Sequence, residues 1–464
     1  MNSLSSHNPS VFFEDVEKLK QSFSFESEEA EKKFYKKNNY LFATTSASLF
    51  RLMPQIPYSK HKSIFEKLLF NLQLLNIEEK HAELFIENFE VIDIENSLDK
   101  AQKGNPFLFC CFHTGAYSLI PGVLTRQSLD FGFLSNKILT ERKGEHFLET
   151  HRKYCEQHNI DSKTQLINVE ESKGIWKALR MLKEGKSLIV YVDGNTGSNY
   201  SKKESNNTVK VDFLGEALRV RQGIAFLSYA CNVPIVPILS SREYQDSELK
   251  LKRKYTLLPA LYPTKFTDKK SQNASSKEEF AAQTMQKLYS ILEKEVIKNG
   301  ADAETIREWE GWIFVNKFFE ELQKPILRAN KKDSSAINSD SVDKKTASYI
   351  FNEERFALIE TKKENEENQK NTLFDKFTYR FFPVSDLLYE IIIYFSTPKK
   401  LYLFDNTNEQ VDKKTTTSSH SPISTNSVSE SSIHFDSKLQ LSKTLVSISA
   451  LEKLIEKDIL VQYK

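Results

Sequence analysis

Three places in this 464-residue chain put a reactive side chain where the local pattern should leave it accessible. His113 follows the continuous apolar run Pro106–Phe112 and precedes the small residues Thr114, Gly115 and Ala116. That order sets an imidazole at the tip of a strand with an open approach. Imidazole titrates near neutrality, so His113 suits removal of a proton from an attacking hydroxyl or amine. Asp193 ends a second apolar run, Ser187–Val192, where a carboxylate either orients a ring or substrate or caps the following turn. Arg219 and Arg221 precede Gly223, which opens a helical stretch. Cations beside a helix N-terminus form a locus for phosphate or an oxyanion. Singly, each has an ordinary structural explanation: a packed histidine, a capping aspartate, solvated arginines.

The elements that must hold these residues follow from periodicity. Residues 1–100 read as helices, with Phe65, Leu68, Leu69, Leu72 and Leu75 on one stripe and Ala82, Phe85, Ile86 and Phe89 on another. From residue 101 to 324 apolar strands alternate with helical stretches: Pro106–Phe112, a helix over Gly174–Leu182, Ser187–Val192, a helix over Gly223–Cys231, then Val233–Leu239. This is an α/β domain with a central, largely parallel sheet flanked by helices. In such sheets ligands bind beyond the carboxyl ends of the strands, where His113 and Asp193 fall. Residues 325–346 read as a linker and 347–464 as a small α+β domain. Within it Tyr349–Phe351, Phe356–Thr361 and Phe377–Phe382 are extended, Val384–Phe395 is helical, 405–437 is a disordered insertion, and Leu451–Val461 runs from helix into strand.

A net charge of +2, with 39% hydrophobic and 28% charged residues, describes a globular protein and gives no electrostatic pointer to nucleic acid. Cys110, Cys111, Cys155 and Cys231 form no CxxC and read as reduced core thiols. His146, His151 and His158 lack zinc spacing, and His151 and His158 are expected to face solvent on one helix, so no bound metal or cofactor is expected. Neither a signal-peptide pattern over 1–10 nor an apolar stretch of membrane-spanning length is present, so a cytoplasmic location, with at most peripheral membrane contact, is expected.

From about Lys62 to Phe319 the chain resembles the late acyltransferases of lipid A synthesis, of the lauroyl and myristoyl type, within the glycerolipid acyltransferases. The resemblance is carried by the Asn71 helix and Ile77–Lys80, the strand into His113-Thr114-Gly115, and the helix that leads through Gly185 to Asp193. Phe213-Leu214-Gly215, Arg219–Gly223, Val233–Pro237 and a tryptophan-containing helix over Ile306–Trp312 complete it. It implies an acyltransferase drawing on an acyl-carrier-protein or coenzyme A thioester as co-substrate, with His113 as general base and Asp193 as its acidic companion after the second strand. It also implies Arg142 near the oxyanion or phosphates, and Arg219, Arg221 and Gly115 where donor or acceptor phosphate binds.

Two departures qualify that expectation. The family's acidic residue, after four residues beyond the histidine, is here Ser118. A hydroxyl can hold a tautomer but supplies no charge, and poor general-base catalysis costs about 10²–10⁴ in rate. Three readings stay open: Asp193 or Glu141 replaces the carboxylate, the acceptor is an easily deprotonated amine, or the site only binds and the chain is a scaffold. The second departure is the missing N-terminal spanning helix. The acceptor is then soluble, or the protein docks on the inner membrane face through a patch near Phe42–Met53. The C-terminal domain is similar to the winged-helix-like PqqD-type domains that bind precursor peptides, through Pro383–Ile391 and Leu451–Val461. That similarity implies a peptide partner and acceptor.

Overall fold

The computed structural model describes residues 9–86, 89–194, 207–243, 252–263, 274–298, 304–319, 346–361, 370–402 and 448–463. The chain divides into two compact units, 1–324 and 325–464.

In the first unit β1 (Glu90–Asp93), β2 (Leu108–Cys111), β3 (Phe131–Ser135), β4 (Thr164–Asn168) and β5 (Ser187–Tyr191) precede a hairpin of β6 (Thr208–Phe213) and β7 (Glu216–Arg221). Then come β8 (Ile235–Glu243) and β9 (Lys252–Leu257). Seven of these form one sheet in the order β1-β9-β8-β2-β5-β3-β4. Only β8 and β9 pair antiparallel; the other pairings in the sheet are parallel. The expected α/β architecture is therefore present.

The central strand β2 shows why its run is continuously apolar. Leu108, Cys110 and Phe112 enter one core cluster with Met181, Leu182 and Leu288, while Phe107, Phe109 and Cys111 enter another with Val16, Ile120 and Leu124. Side chains alternate across a strand, so a strand covered on both faces needs apolar residues at every position. Burial pushes the Cys110 and Cys111 thiols well above their usual range, and both cysteines are free.

Helices α1 (Pro9–Ser22), α2 (Glu28–Lys37), α3 (Asn39–Leu52), α4 (Tyr58–Lys80) and α5 (Glu83–Ile86) precede β1, and α6 (Ser97–Gln102) follows it. The reading of 1–100 as wholly helical is corrected by β1, a four-residue edge strand too short to show a period. A second correction concerns Phe42–Met53. Within α3 every residue from Phe42 to Phe50 is buried, as is Leu52, so this stretch is core and presents no patch to a membrane. Small polar residues, Thr44, Thr45, Ser46 and Ser48, are buried with the apolar ones, so this helix is enclosed around its whole circumference. None of the described helices is long and apolar enough to cross a membrane.

Between the strands lie α7 (Ile120–Arg126), α8 (Lys137–His158), α9 (Gly174–Lys183) and α10 (Gly223–Cys231), followed by α11 (Ala274–Ile297) and α12 (Glu304–Glu308). Helix α8 starts where the Asn136 side chain accepts from the Leu139 amide at 2.7 Å. The expected helix over Ile306–Trp312 stops at Glu308; Trp309 is extended, and two 3-10 turns follow over Glu310–Ile313 and Val315–Phe318. These turns lie on α3, where the Ser48 hydroxyl donates to the Trp312 carbonyl and the Asn316 amide donates to the Thr44 carbonyl. Glu78 of α4 is fully buried and accepts from Arg242 of β8 at 2.7 and 3.1 Å and from Arg253 of β9 at 3.0 Å. This network joins the helical region to the sheet.

The second unit contains β10 (Thr346–Phe351), β11 (Phe356–Thr361), β12 (Lys370–Asp375), β13 (Arg380–Pro383), α13 (Asp386–Tyr394), β14 (Lys399–Tyr402), α14 (Ile448–Glu456) and β15 (Leu460–Gln462). They form two antiparallel sheets, β14-β10-β15 and β11-β12-β13, over a core of Phe351, Phe356, Leu373, Ile392, Phe395, Leu451 and Leu460. Of the extended piece expected over Phe377–Phe382, Arg380–Phe382 lies in β13 while Phe377–Tyr379 is a turn, and β12 is a strand without a counterpart in the sequence expectation. Thr346 already belongs to β10; the rest of the expected linker and the whole of 405–437 lie outside the described residues.

Candidate active site

Strand register brings the two polar strand ends together. Cys111 of β2 stands opposite Tyr191 of β5 in a parallel pairing, so two residues further on His113 meets Asp193. The Asp193 carboxylate accepts from the His113 backbone amide at 3.0 and 3.1 Å and contacts the ring Nδ1 at 2.8 Å. Trp309 Nε1 donates to the second carboxylate oxygen at 2.9 Å. An ionised carboxylate only accepts, so Nδ1 carries the proton and Nε2 keeps its lone pair. Asp193 is 2% exposed at its side chain and His113 19%: the orienting group is buried and the ring remains accessible.

The surroundings fix the ring. Tyr117 packs edge-on with its centroid at 4.7 Å, Tyr191 lies at 5.0 Å, and Phe314 closes a third side at 6.5 Å. The Tyr117 hydroxyl donates to Glu310 at 2.6 Å, and the Glu310 amide donates to the His113 carbonyl at 3.0 Å. A Cβ added at Gly194 would come within 2.3 Å of the imidazole Cε1, so only glycine fits beside the ring. Gly115, at φ +57°, lies so close to β8 that a Cβ would reach the Ser240 carbonyl at 2.6 Å. Its task here is close packing of two strand ends. Burial opposes charge on His113, but the Asp193 carboxylate, its hydrogen bond and the Glu310 carboxylate outweigh it and hold the imidazole pKa above 6.5.

His113 opens onto a cavity of about 260 Å³ whose walls include Ser118, Phe133, Lys143, Phe147 and His151. It is bounded by α7 and by one face of α8. Lys143 pairs with Glu79 of α4 at 2.8 Å, and both line the cavity. The Ser118 hydroxyl is buried in this wall without a hydrogen-bond partner among the described residues.

Of the residues singled out in sequence, His113 and Asp193 come together, and Ser118 lines the same cavity as His113. Glu141 is exposed on α8 beside Lys137 and is not the replacement carboxylate. Arg142 is also exposed on α8 and is absent from the cavity lining, where its neighbour Lys143 stands. Arg219 and Arg221 are half-buried on β7, ahead of α10, and do not line the cavity. The expectation that His151 and His158 face solvent is corrected. His151 is half-buried and lines the cavity, and the His158 ring packs on Tyr154 at 4.3 Å. Among the described residues no group of three or more His, Cys, Asp or Glu is arranged to hold a metal. The sequence reading missed the roles of Tyr117, Tyr191, Gly194, Trp309 and Glu310. Tyr191, a polar-tipped aromatic two residues before a strand-end carboxylate, was the available signal.

The sequence profile of bacterial lipid A biosynthesis acyltransferases matches residues 61–302, just over half of the chain. Among solved structures, the 1-acyl-sn-glycerophosphate (LPA) acyltransferase PlsC from Thermotoga maritima is similar at 14% identity. That likeness covers 56% of this chain and 97% of that one with a TM-score of 0.26, too distant to carry mechanism. A search of curated proteins finds no match. On the strength of the profile match, the chain belongs to the bacterial lipid A biosynthesis acyltransferase family.

Proposed function

We propose that this protein transfers an acyl group from an acyl-carrier-protein or coenzyme A thioester to a hydroxyl or amine, with His113 as general base. The observation that carries the reading is the 2.8 Å contact between Asp193 and His113 Nδ1 at the head of an apolar-walled cavity. The acceptor's lone pair attacks the thioester carbonyl carbon while His113 Nε2 takes the acceptor's proton. The tetrahedral oxyanion then collapses, the C–S bond breaks, and the imidazolium returns the proton to the departing thiolate. The products are an ester or amide and a free thiol. Asp193 stabilises the transient imidazolium, the part a carboxylate at position 118 would have played. This weighs against the scaffold reading, which drew its support from Ser118.

For the acceptor, a peptide is favoured by the C-terminal unit. There β13 is an edge strand among the described residues and exposes Phe381 and Phe382, at 45% and 42%. An extended peptide can add to such an edge. One assay tests both levels: intact-mass detection of acylated product from acyl-carrier-protein and acyl-CoA thioesters, offered hydroxyl, amine and peptide acceptors. His113→Ala should abolish product. A rate unchanged in that variant would sink the general-base role, and mass gain on small acceptors but on no peptide would remove the peptide reading.

A further inference from the structure

His113 has a second proton acceptor beside it. Past the imidazole, Gly115 at φ +57° turns the chain, and a 3-10 turn over Tyr117–Leu119 brings Tyr117 back against the ring at 4.7 Å. The Tyr117 side lines the cavity, and its hydroxyl donates to Glu310 Oε2 at 2.6 Å. Glu310 is half-buried and does not line the cavity. Tyr117 thus stands between the cavity and a carboxylate that keeps contact with water.

The charge around this pair has one sign. Glu310, Glu79 of the cavity wall and the buried Asp193 all bear on the Tyr117 hydroxyl. Lys143 of the same wall is compensated by Glu79 at 2.8 Å. Among the described residues no arginine lines the cavity. Carboxylates set in low-dielectric walls concentrate cations and repel phosphate.

The two acceptors suit one class of acceptor substrate better than the other. A hydroxyl arrives with free lone pairs and a single proton to give, which His113 alone removes. An ammonium has no lone pair until a proton has left, so it needs another base beside the imidazole. We propose that the acceptor is a primary amine bound as its ammonium, and that Tyr117 and Glu310 take the first of the two protons it loses. The proposal rests on the acyl-transfer reading above and narrows its acceptor from hydroxyl or amine to amine. The ammonium donates to the Tyr117 oxygen as the Tyr117 proton passes to Glu310. Burial and the Glu310 carboxylate push the Tyr117 hydroxyl well above its usual range, so it passes a proton on only as it receives one. The freed lone pair attacks the thioester carbonyl carbon, and His113 Nε2 takes the second proton. The C–S bond breaks, and the imidazolium returns that proton to the thiolate. Glu310 gives the first proton to water, so one proton is released for each amide formed.

The experiment offers the full chain an acyl-CoA thioester and aminohexanol, which carries an amine at one end and a hydroxyl at the other. Amide and ester products share one mass, and hydroxylamine cleaves only the ester. Product formed with His113→Ala measures the spontaneous reaction and is subtracted. Wild type should yield amide in excess, and in Glu310→Gln the amide-to-ester ratio should fall roughly 10-fold or more. The neutral side chain still accepts from Tyr117, and any shift in the His113 pKa alters both products alike, so the ratio isolates the lost charge. Tyr117→Phe keeps the ring and removes the hydroxyl; it carries the same expectation and decides the matter should Glu310→Gln fail to fold. An unchanged ratio in the folded variant, or an excess of ester in wild type, overturns the amine assignment and leaves acyl transfer standing. No product at either end overturns the acyl-transfer reading and the amine assignment together.

Discussion

Asp193→Asn is expected to lower kcat/KM for acyl transfer by about 10²–10⁴, with most of the loss in kcat. The substitution keeps the size of the side chain but changes what it offers. Asp193 accepts from three donors: the His113 amide, the His113 ring and the Trp309 indole. An asparagine has one accepting oxygen. If its amide group faces the ring, Nδ1 must become the acceptor and Nε2 takes the proton, which is the tautomer unable to act as base. If its amide group faces Trp309, two donors oppose each other in a buried site. Ser118→Ala is the informative contrast. Its hydroxyl makes no hydrogen bond among the described residues, so the loss should stay below about ten-fold, under the range for removing a general base. A defect from Ser118→Ala as large as that from Asp193→Asn would return the positioning role to residue 118.

The pH profile supplies a second readout of the same pair. The base must be neutral to accept a proton, so kcat/KM should rise with pH through a midpoint above 6.5. Removing the Asp193 charge should move that midpoint down, because burial then acts with less opposition. The stability linkage runs the other way. A folded-state pKa raised above 6.5 contributes stability in full below that value and loses it as pH climbs through the folded midpoint.

Glu78→Gln is expected to destabilise the N-terminal unit by about 3–5 kcal/mol. Glu78 carries no exposed area, and its two oxygens accept from Arg242 and Arg253, themselves buried. Arg242 also lies 3.5 Å from Glu308. Without the Glu78 charge two guanidinium groups remain in the core with much of their compensation gone. The urea midpoint measures this. Glu31→Gln, which breaks an exposed pair with Lys62, should change it by about 0–1 kcal/mol. Burial acts to raise the Glu78 pKa, but the two arginines prevail and hold it below 4.5. Stability from this group is therefore present above pH 4.5 and is lost as pH falls through the lower, folded value. Glu78→Gln should flatten the acid limb; an unaltered limb would show that the network does not govern acid unfolding.

The central strands were legible because burial on both faces removes polar residues from them, as in Phe107–Phe112 and Leu188–Val192. His113 and Asp193 were legible for the same reason: the first polar residue after such a run marks the carboxyl end of a strand. Their pairing was only one of several possibilities, because it depends on β2 and β5 being neighbours, a fact of topology. Strands β3 and β4 escaped notice because they are short and partly exposed, with Gly132 and Gln165 interrupting any apolar run. The enclosure of α3 escaped as well. Its small polar residues, Thr44, Thr45, Ser46 and Ser48, read in sequence as a break in an apolar patch, and their cover comes in part from the distant turns after Trp309. The inward face of His151 was hidden by the charged residues around it, Glu149, Arg152 and Lys153, which pair with one another at the surface.

Trp309 reaches Asp193 across 116 residues of sequence, and Glu310 secures the His113 carbonyl from the same distant segment. During translation His113 and Asp193 are therefore made long before Trp309 and Glu310. At ~5–20 residues per second the interval is roughly 6–25 s. A chain truncated before residue 309 carries every strand of the seven-stranded sheet but lacks the Trp309 and Glu310 clamps on Asp193 and His113.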